Sequence, residues 1–203
     1  MISETPFVVV DLETTGLEPK LDRIVEIAAV KVKNGVIIEE WDTLVNPGIF
    51  IPQITTDISG ITSDMVKDSP RFDEVADEYL KFIGTDSVFV AHNVDFDWRF
   101  MNTHLQRHDR EEMNNPNLCT FKLAKRVHPN LPAYGLGALT ETFSIDLVQA
   151  HRALHDARAT AELFLKFLRS LQGGGLKYVK DFPTIQNLPT EKKEQAEGQG
   201  SLF

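Results

Sequence analysis

Three observations predict a mixed α/β sandwich with helices on both faces of its sheet. The first third of the chain carries three apolar runs separated by turn signals. The rest interleaves further short apolar runs with helical periodicities. The longest helical pattern closes the folded part.

Phe7 to Val10 is an apolar, β-branched run that reads as a buried strand, broken by Thr14-Thr15-Gly16. Ile24 to Val32 is a second strand, Asn34-Gly35 a hairpin turn, and Val36 to Val45 a third strand, ended by Asn46-Pro47-Gly48. The start is therefore an antiparallel meander. Residues 52–70 read as loop with short helices. Phe72, Val75, Ala76, Tyr79, Leu80 and Ile83 recur at helical spacing, and Ser87 to His92 is another buried strand. Helices are expected over Asp97 to Arg107, Thr120 to Val127 and Leu136 to Phe143, with 109–117 as loop. From Asp156 to Leu171 the apolar positions repeat at i, i+4, i+7, i+11 and i+14, the clearest helix of the chain, stopped by Gly173-Gly174-Gly175. Tyr178, Val179, Phe182, Ile185 and Leu188 can still pack on the domain; from Pro189 onward the sequence is polar and reads as a flexible tail.

Composition removes several classes. In 203 residues, 42% hydrophobic and 25% charged, there is enough apolar material for a core, which excludes wholesale disorder. With 21 basic and 30 acidic residues, the net charge of −9 argues against a protein that coats long stretches of phosphate with cations. It leaves room for an enzyme that meets one phosphate. The one cysteine, Cys119, allows no intrachain disulfide, which points to a reducing, cytoplasmic setting. No signal peptide and no membrane-spanning apolar run is seen, so no membrane partner is expected.

Three clusters carry the chemistry. Asp11 and Glu13 lie at the end of the first strand, where side chains at i and i+2 share a face. Two carboxylates there repel unless a cation stands between them, and a divalent ion is the economical partner; ordinary strand-end charges are the alternative. Asp95 and Asp97 follow the fourth strand, and Asp97 could instead cap a helix. His151 and Asp156 are five apart, about 140° around a regular helix. They converge only if His151 lies on the loop before the helix and Asp156 in its first turn, and His155, which adjoins Asp156, is a rival. Together these residues are what a two-metal phosphodiester hydrolase needs: carboxylates to hold two ions, and an imidazole of ordinary pKa to take a proton from water.

At these residues the sequence resembles a known family. DLETTG at 11–16, HNVDFD at 92–97 and the H-x-x-x-x-D of His151 to Asp156 are similar to the three motifs of the DnaQ-like, or DEDD, 3′→5′ exonuclease superfamily. LVNP at 44–47, ISGIT at 58–62 and the stretch 118–139 resemble the proofreading exonucleases of bacterial DNA polymerases. The resemblance spans roughly residues 6–171. It implies a ribonuclease H-like fold, a five-stranded mixed sheet with three antiparallel strands and then parallel ones, flanked by helices. It implies Asp11, Glu13, Asp97 and Asp156 as ligands of two divalent ions, Mg²⁺ or Mn²⁺, with His151 as general base. The tyrosine branch is excluded, because its tyrosine position is Arg152 here. Asp95 and His155 take no role. Thr14, Phe96, Ile54 and Ser59 are implied contacts to the terminal nucleotide, with a core position as the alternative for Phe96.

The implied activity is release of 5′-mononucleotides from DNA 3′ ends in proofreading or repair. RNA trimming by the same chemistry is the alternative reading, and a non-catalytic clamp-bound module the third. The ending Gln199-Gly200-Ser201-Leu202-Phe203 resembles the peptide by which bacterial polymerases bind the sliding clamp. Gln199, Leu202 and Phe203 are its expected contacts, and a DNA polymerase is a further implied partner. The ten residues before it would span roughly 17 Å as a coil. The expected organisation is an exonuclease domain over 1–175, a partly packed extension over 176–188 and a flexible tail over 189–203.

Overall fold

The computed structural model describes residues 1–187 apart from 3, 149 and 183. The clamp-like tail, with Gln199, Leu202 and Phe203, lies outside the described residues. Six strands are described, β1 (Phe7–Thr14), β2 (Ile24–Lys33), β3 (Val36–Leu44), β4 (Val88–Ala91), β5 (Asn117–Cys119) and β6 (Ile185–Gln186), ordered β3-β2-β1-β4-β5-β6. β1, β2 and β3 form the expected antiparallel meander, while β1, β4 and β5 run parallel. The expected count of five is corrected by β6, a two-residue strand antiparallel to β5. It is held in place by Phe182 just before it, which packs on Phe7 and Phe164 at ring-centroid distances of 5.9 and 6.2 Å.

Both faces of the sheet are covered, which explains why its central strands read as unbroken apolar runs. Phe7 and Val9 on β1, with Ala28, Val30 and Val32 on β2, face helix α7 (Ala153–Gly173). Ala157 and Ala161 let that helix lie close to the strands, and Phe164 fills the space over Phe7, 4.9 Å away between ring centres. Val8, Val10 and Leu12 face α3 (Phe72–Ile83) and α4 (Val94–Arg107). The β2–β3 hairpin turns at Asn34 and Gly35, with φ of 53° and 77°, the left-handed pair a two-residue turn requires.

Several boundaries differ from expectation, among them the start of α7, at Ala153 rather than Asp156. β1 continues four residues beyond its apolar run to Thr14, because the backbone ladder to β2 holds through Asp11↔Ala28 and Glu13↔Glu26 whatever the side chains are. α4 starts at Val94 rather than Asp97: Asn93 adopts φ 78°, which asparagine tolerates, and turns the chain into the helix three residues early. Asp97 is thus a first-turn residue and caps nothing. Residues 52–70 contain two short helices, α1 (Gln53–Ser59) and α2 (Ser63–Val66). Two helices expected from the sequence, α5 (Thr120–Val127) and α6 (Leu136–Thr142), complete the set. Among the described residues no helix is long and apolar enough to cross a membrane.

Candidate active site

The alternation of β1 builds the site. Phe7, Val9, Asp11 and Glu13 share one face of the strand. The first two lie under α7. The last two emerge where the strand reaches the start of that helix. Asp156 sits in the first turn of α7, and Asp97 in the first turn of α4 at the end of the neighbouring strand β4. One cleft of about 490 Å³ is lined by Asp11, Glu13, Asp97, Asp156 and His151 together. Ligand atoms of Glu13, His151 and Asp156 lie within 4.8 Å of one another.

The electrostatics of this cleft are unbalanced. Burial, then Asp97, Asp156, Glu13 and Glu26 in turn, push the Asp11 carboxyl well above its usual range. Burial and the Asp156 and Glu26 charges raise Glu13 to about 7. Asp97 is raised by burial although its own amide and that of Leu12 pull it down, and Asp156 is raised by burial although the His151 amide opposes this. The Asp156 Oδ2 accepts from the His151 N–H at 3.0 Å, but its Oδ1 is buried with no partner. Crowded carboxylates with raised pKa and an orphaned oxygen are a donor set that fits a divalent cation.

His151 is exposed to the cleft and has φ 64°, an uncommon backbone for a β-carbon-bearing residue. It is held there from both sides. Its N–H is taken by Asp156, and the next residue, Arg152, reaches under it to the buried Glu26. His155, its sequence neighbour rival, does not line the cleft. Asp95 points outward and pairs with Lys122 at 2.7 Å.

Of the four nucleotide contacts expected, Thr14, Phe96 and Ile54 line the cleft, and Ser59 does not. Ser59 is buried, its hydroxyl donating to the Thr55 carbonyl and accepting from the Ile61 N–H, so it serves the α1 turn. One helical face earlier, Thr55 and Ile58 line the cleft instead. Phe96 packs on Phe100, 4.7 Å between ring centres, and also lines the cleft. Leu17, Ile54 and Ile58 are exposed apolar side chains around one opening.

Sequence reasoning missed two features. His92 lines the cleft, its Nδ1 2.9 Å from the Thr120 hydroxyl, and burial pushes it down to about 4, so it is neutral at neutral pH. Glu26 is buried in β2 on the face of Asp11 and Glu13, opposite Glu13 itself. Its signal was readable: a lone carboxylate inside the apolar run Ile24-Val25-Glu26-Ile27 needs a partner.

A sheet of this order, with a carboxylate-lined cleft where β1 and β4 end, defines a ribonuclease H-like nuclease. The sequence profile of the exonuclease family matches residues 8–164, and the chain belongs to that family. It is 42% identical over 187 residues to the DNA polymerase III subunit epsilon of Aquifex aeolicus, covering 92% of this chain and 91% of that one. It is also 42% identical over 168 residues to a PolC-type DNA polymerase III of Oceanobacillus iheyensis, covering 83% of this chain but only 12% of that protein. Among solved structures, exonuclease X in complex with 5′-overhanging duplex DNA superposes with a TM-score of 0.66 at 33% identity, covering 81% of this chain and 92% of that one. E. coli exonuclease I bound to a dA16 oligonucleotide has a TM-score of 0.73 at 21% identity, covering 84% and 42%, and there the likeness is one of fold. The chain is accordingly a 3′→5′ exonuclease of the DEDDh type, whose family requires divalent metal.

Proposed function

We propose that this exonuclease removes nucleotides from the 3′ ends of DNA, in proofreading or repair. The observation that carries this reading is the convergence of Asp11, Glu13, Asp97, Asp156 and His151 on one cleft, with an Asp156 oxygen left unpartnered. In this reading the four carboxylates hold two divalent ions, Mg²⁺ or Mn²⁺. Bound there, the ions supply the positive charge that a scissile phosphate needs and that the acidic protein lacks.

The chain's own residues do the rest. His151, exposed on its left-handed loop residue, takes the proton of the attacking water at a ring nitrogen, and the Asp156–His151 amide contact fixes the backbone from which it acts. Thr14, Phe96 and Ile54 grip the terminal nucleotide, with Ile58 and Leu17 extending the apolar wall on which a base can stack. Ser59 steadies α1 from inside. DNA is favoured over RNA by the relatives, a DNA polymerase III subunit and an exonuclease solved on 5′-overhanging duplex DNA.

The test is digestion of 5′-labelled single-stranded DNA and RNA of one sequence with Mg²⁺, Mn²⁺ or EDTA. A metal-dependent ladder that shortens the DNA from its 3′ end is expected. Digestion of RNA alone would overturn the substrate, and cleavage of neither would overturn the enzyme in favour of a docking module. We further propose that Gln199, Leu202 and Phe203 dock on the sliding clamp, tethering a weakly DNA-bound nuclease near primer ends and near a polymerase. Loss of clamp binding in Leu202→Ala/Phe203→Ala is the expected result; unchanged binding removes the tether.

A further inference from the structure

A second hollow, of about 190 Å³, lies outside the catalytic cleft and is basic, in a chain whose net charge is −9. Its wall carries Arg23, Arg71, Arg107, His104 and His108. These come from three places: the start of β2, the residue before α3, and the last turn of α4. Among the described residues no carboxylate lies within 4.0 Å of any of the three guanidinium groups. None of the acidic groups close by pairs with these guanidinium groups among the described residues. Asp22 binds the Glu18 N–H at 2.8 Å and the Thr15 hydroxyl, Glu74 accepts the Arg71 backbone N–H, and Asp73 faces His108 at 4.0 Å.

The cations are held in place by neutral groups. Arg107 donates to the carbonyls of Pro19 and Lys20, and its Nη1 lies 3.1 Å from the His104 Nε2. Arg23 donates to the carbonyls of Leu21 and Asp22. Arg71 lies across Gly48, where a β-carbon would come within 2.6 Å of its Nη2 and where φ is +66°. Burial and the Arg23 charge push Arg107 down, and burial with both arginines nearby keeps His104 at about 4, hence neutral and able to accept from Arg107. Three guanidinium groups gathered with no carboxylate in contact favour an anion.

The position of the hollow identifies which anion. Gly16 and Leu17 line the catalytic cleft, and the same loop, at Pro19 and Lys20, is bonded to Arg107 on the basic side. The Arg23 N–H binds the Thr15 hydroxyl at 3.0 Å. One loop therefore separates a cleft that takes a 3′ terminus from a basic hollow. We propose that the Arg23–Arg71–Arg107 hollow binds a backbone phosphate of the DNA strand whose 3′ end occupies the cleft. This rests on the DNA-exonuclease reading. It supplies an attachment for a strand that the rest of this acidic surface repels, and it is sequence-independent, as a phosphate contact must be.

The test is equilibrium binding of a fluorescein-labelled single-stranded 12-mer in EDTA, over a range of salt concentrations. No catalysis is needed for it, so digestion by the wild-type chain with Mg²⁺ or Mn²⁺ judges the nuclease reading separately. Arg71→Gln is the variant of choice because its side chain is exposed and Arg107 and Arg23 also brace the loop. Lys33→Gln, at the far hairpin end of β2, is the matched neutralisation. Arg71→Gln should weaken binding severalfold and lower the salt slope by about 0.7, the loss of one single-strand phosphate contact. Arg71→Lys should restore most of the affinity, and Lys33→Gln should leave both readings as in the wild type. An unchanged slope in Arg71→Gln, an equal loss in Lys33→Gln, or no binding of the 12-mer by the wild type would each overturn the inference. A melting curve of Arg71→Gln that matches the wild type assigns the loss to the contact rather than to folding.

Discussion

Arg152 closes on Glu26 with its Nη2 2.7 Å from Oε1 and its Nε 3.2 Å from both carboxylate oxygens, while the Ala153 N–H donates to Oε2 at 2.8 Å. Glu26 is buried in β2 directly across from Glu13, so two carboxylates oppose each other on one face of the sheet, an arrangement that is unfavourable unless a cation intervenes. Arg152 is that cation, and it also ties the residue after His151, and the first turn of α7, to the strand that carries no catalytic group.

Removing Arg152 leaves Glu26 buried without its charge partner. Arg152→Ala should therefore cost about 3 kcal/mol, the lower end for a broken buried pair because the guanidinium is partly exposed. At about 2–4 °C per kcal/mol, the melting temperature should fall by roughly 6–12 °C. Glu26→Gln keeps the shape and two acceptor contacts, so it should cost less stability but lower kcat more than KM, because it loosens His151 rather than the substrate wall. Equal changes in both constants would count against a positioning role.

The four crowded carboxylates should oppose folding when no metal is present. Asp97→Ala is expected to reduce hydrolysis below about a hundredth of wild type, a loss near 2.7 kcal/mol in the barrier. In EDTA, the isosteric Asp11→Asn should raise the melting temperature while also removing activity, because burial and four neighbouring carboxylates disfavour its charged form. A variant that is at once dead and more heat-stable separates a functional carboxylate from a structural one. Unchanged or lowered stability of Asp11→Asn in EDTA would contradict this electrostatic account.

The pH dependence of the metal-free protein follows from Glu13. Its carboxyl is raised from 4.5 to about 7 in the folded state, so between those values the native state binds more protons than the unfolded one. The Glu13 contribution to stability must then fall as pH rises through that window, the reverse of the usual paired carboxylate, while His92 and His104, held by burial at about 4, pull the other way below their ordinary value of 6.5. Asp11, Asp97 and Asp156 are shifted in the same direction and steepen the fall. The melting temperature of the wild type relative to Glu13→Gln, both in EDTA, should therefore decline from pH 4.5 to 7.5. A difference that rises across this range would refute the assignment.

Gly16 is required by a close approach. A β-carbon there would stand 2.5 Å from either Asp22 carboxylate oxygen, and that carboxylate pins the loop through the Glu18 N–H and the Thr15 hydroxyl. Gly16→Ala should displace Gly16 and Leu17, which line the cleft, and raise KM with a stability loss of about 1–3 kcal/mol. Combining it with Asp22→Ala should cost less than the sum of the two, because the clash and the pin share one carboxylate. Strict additivity would show that the loop accommodates the methyl group without moving.

What was legible in the sequence is what neighbouring residues decide. Most strands and helices followed from apolar periodicity, since each face had to meet a core, but β5 and β6, three and two residues long, were too short to show a period. Asp11 and Glu13 announced themselves because i and i+2 share a strand face, and His151 and Asp156 because a loop-to-helix transition is the geometry that unites them. The start of α4 was misplaced because the left-handed turn of Asn93 leaves no mark in hydrophobic spacing. Ser59 and Ile58 are adjacent in the chain, and only the rotation of α1 against the sheet turns one inward and the other to the cleft. The partner of Glu26 lies 126 positions away, and the arginines of the basic hollow come from three separate elements. Charge pairing acts through space, so tertiary packing alone brought these groups together. The sequence by itself determined which carboxylates and which histidine meet at the cleft, because they sit at strand and helix ends whose local geometry is periodic; the tertiary structure decided what braces the His151 loop and which arginines gather beside it.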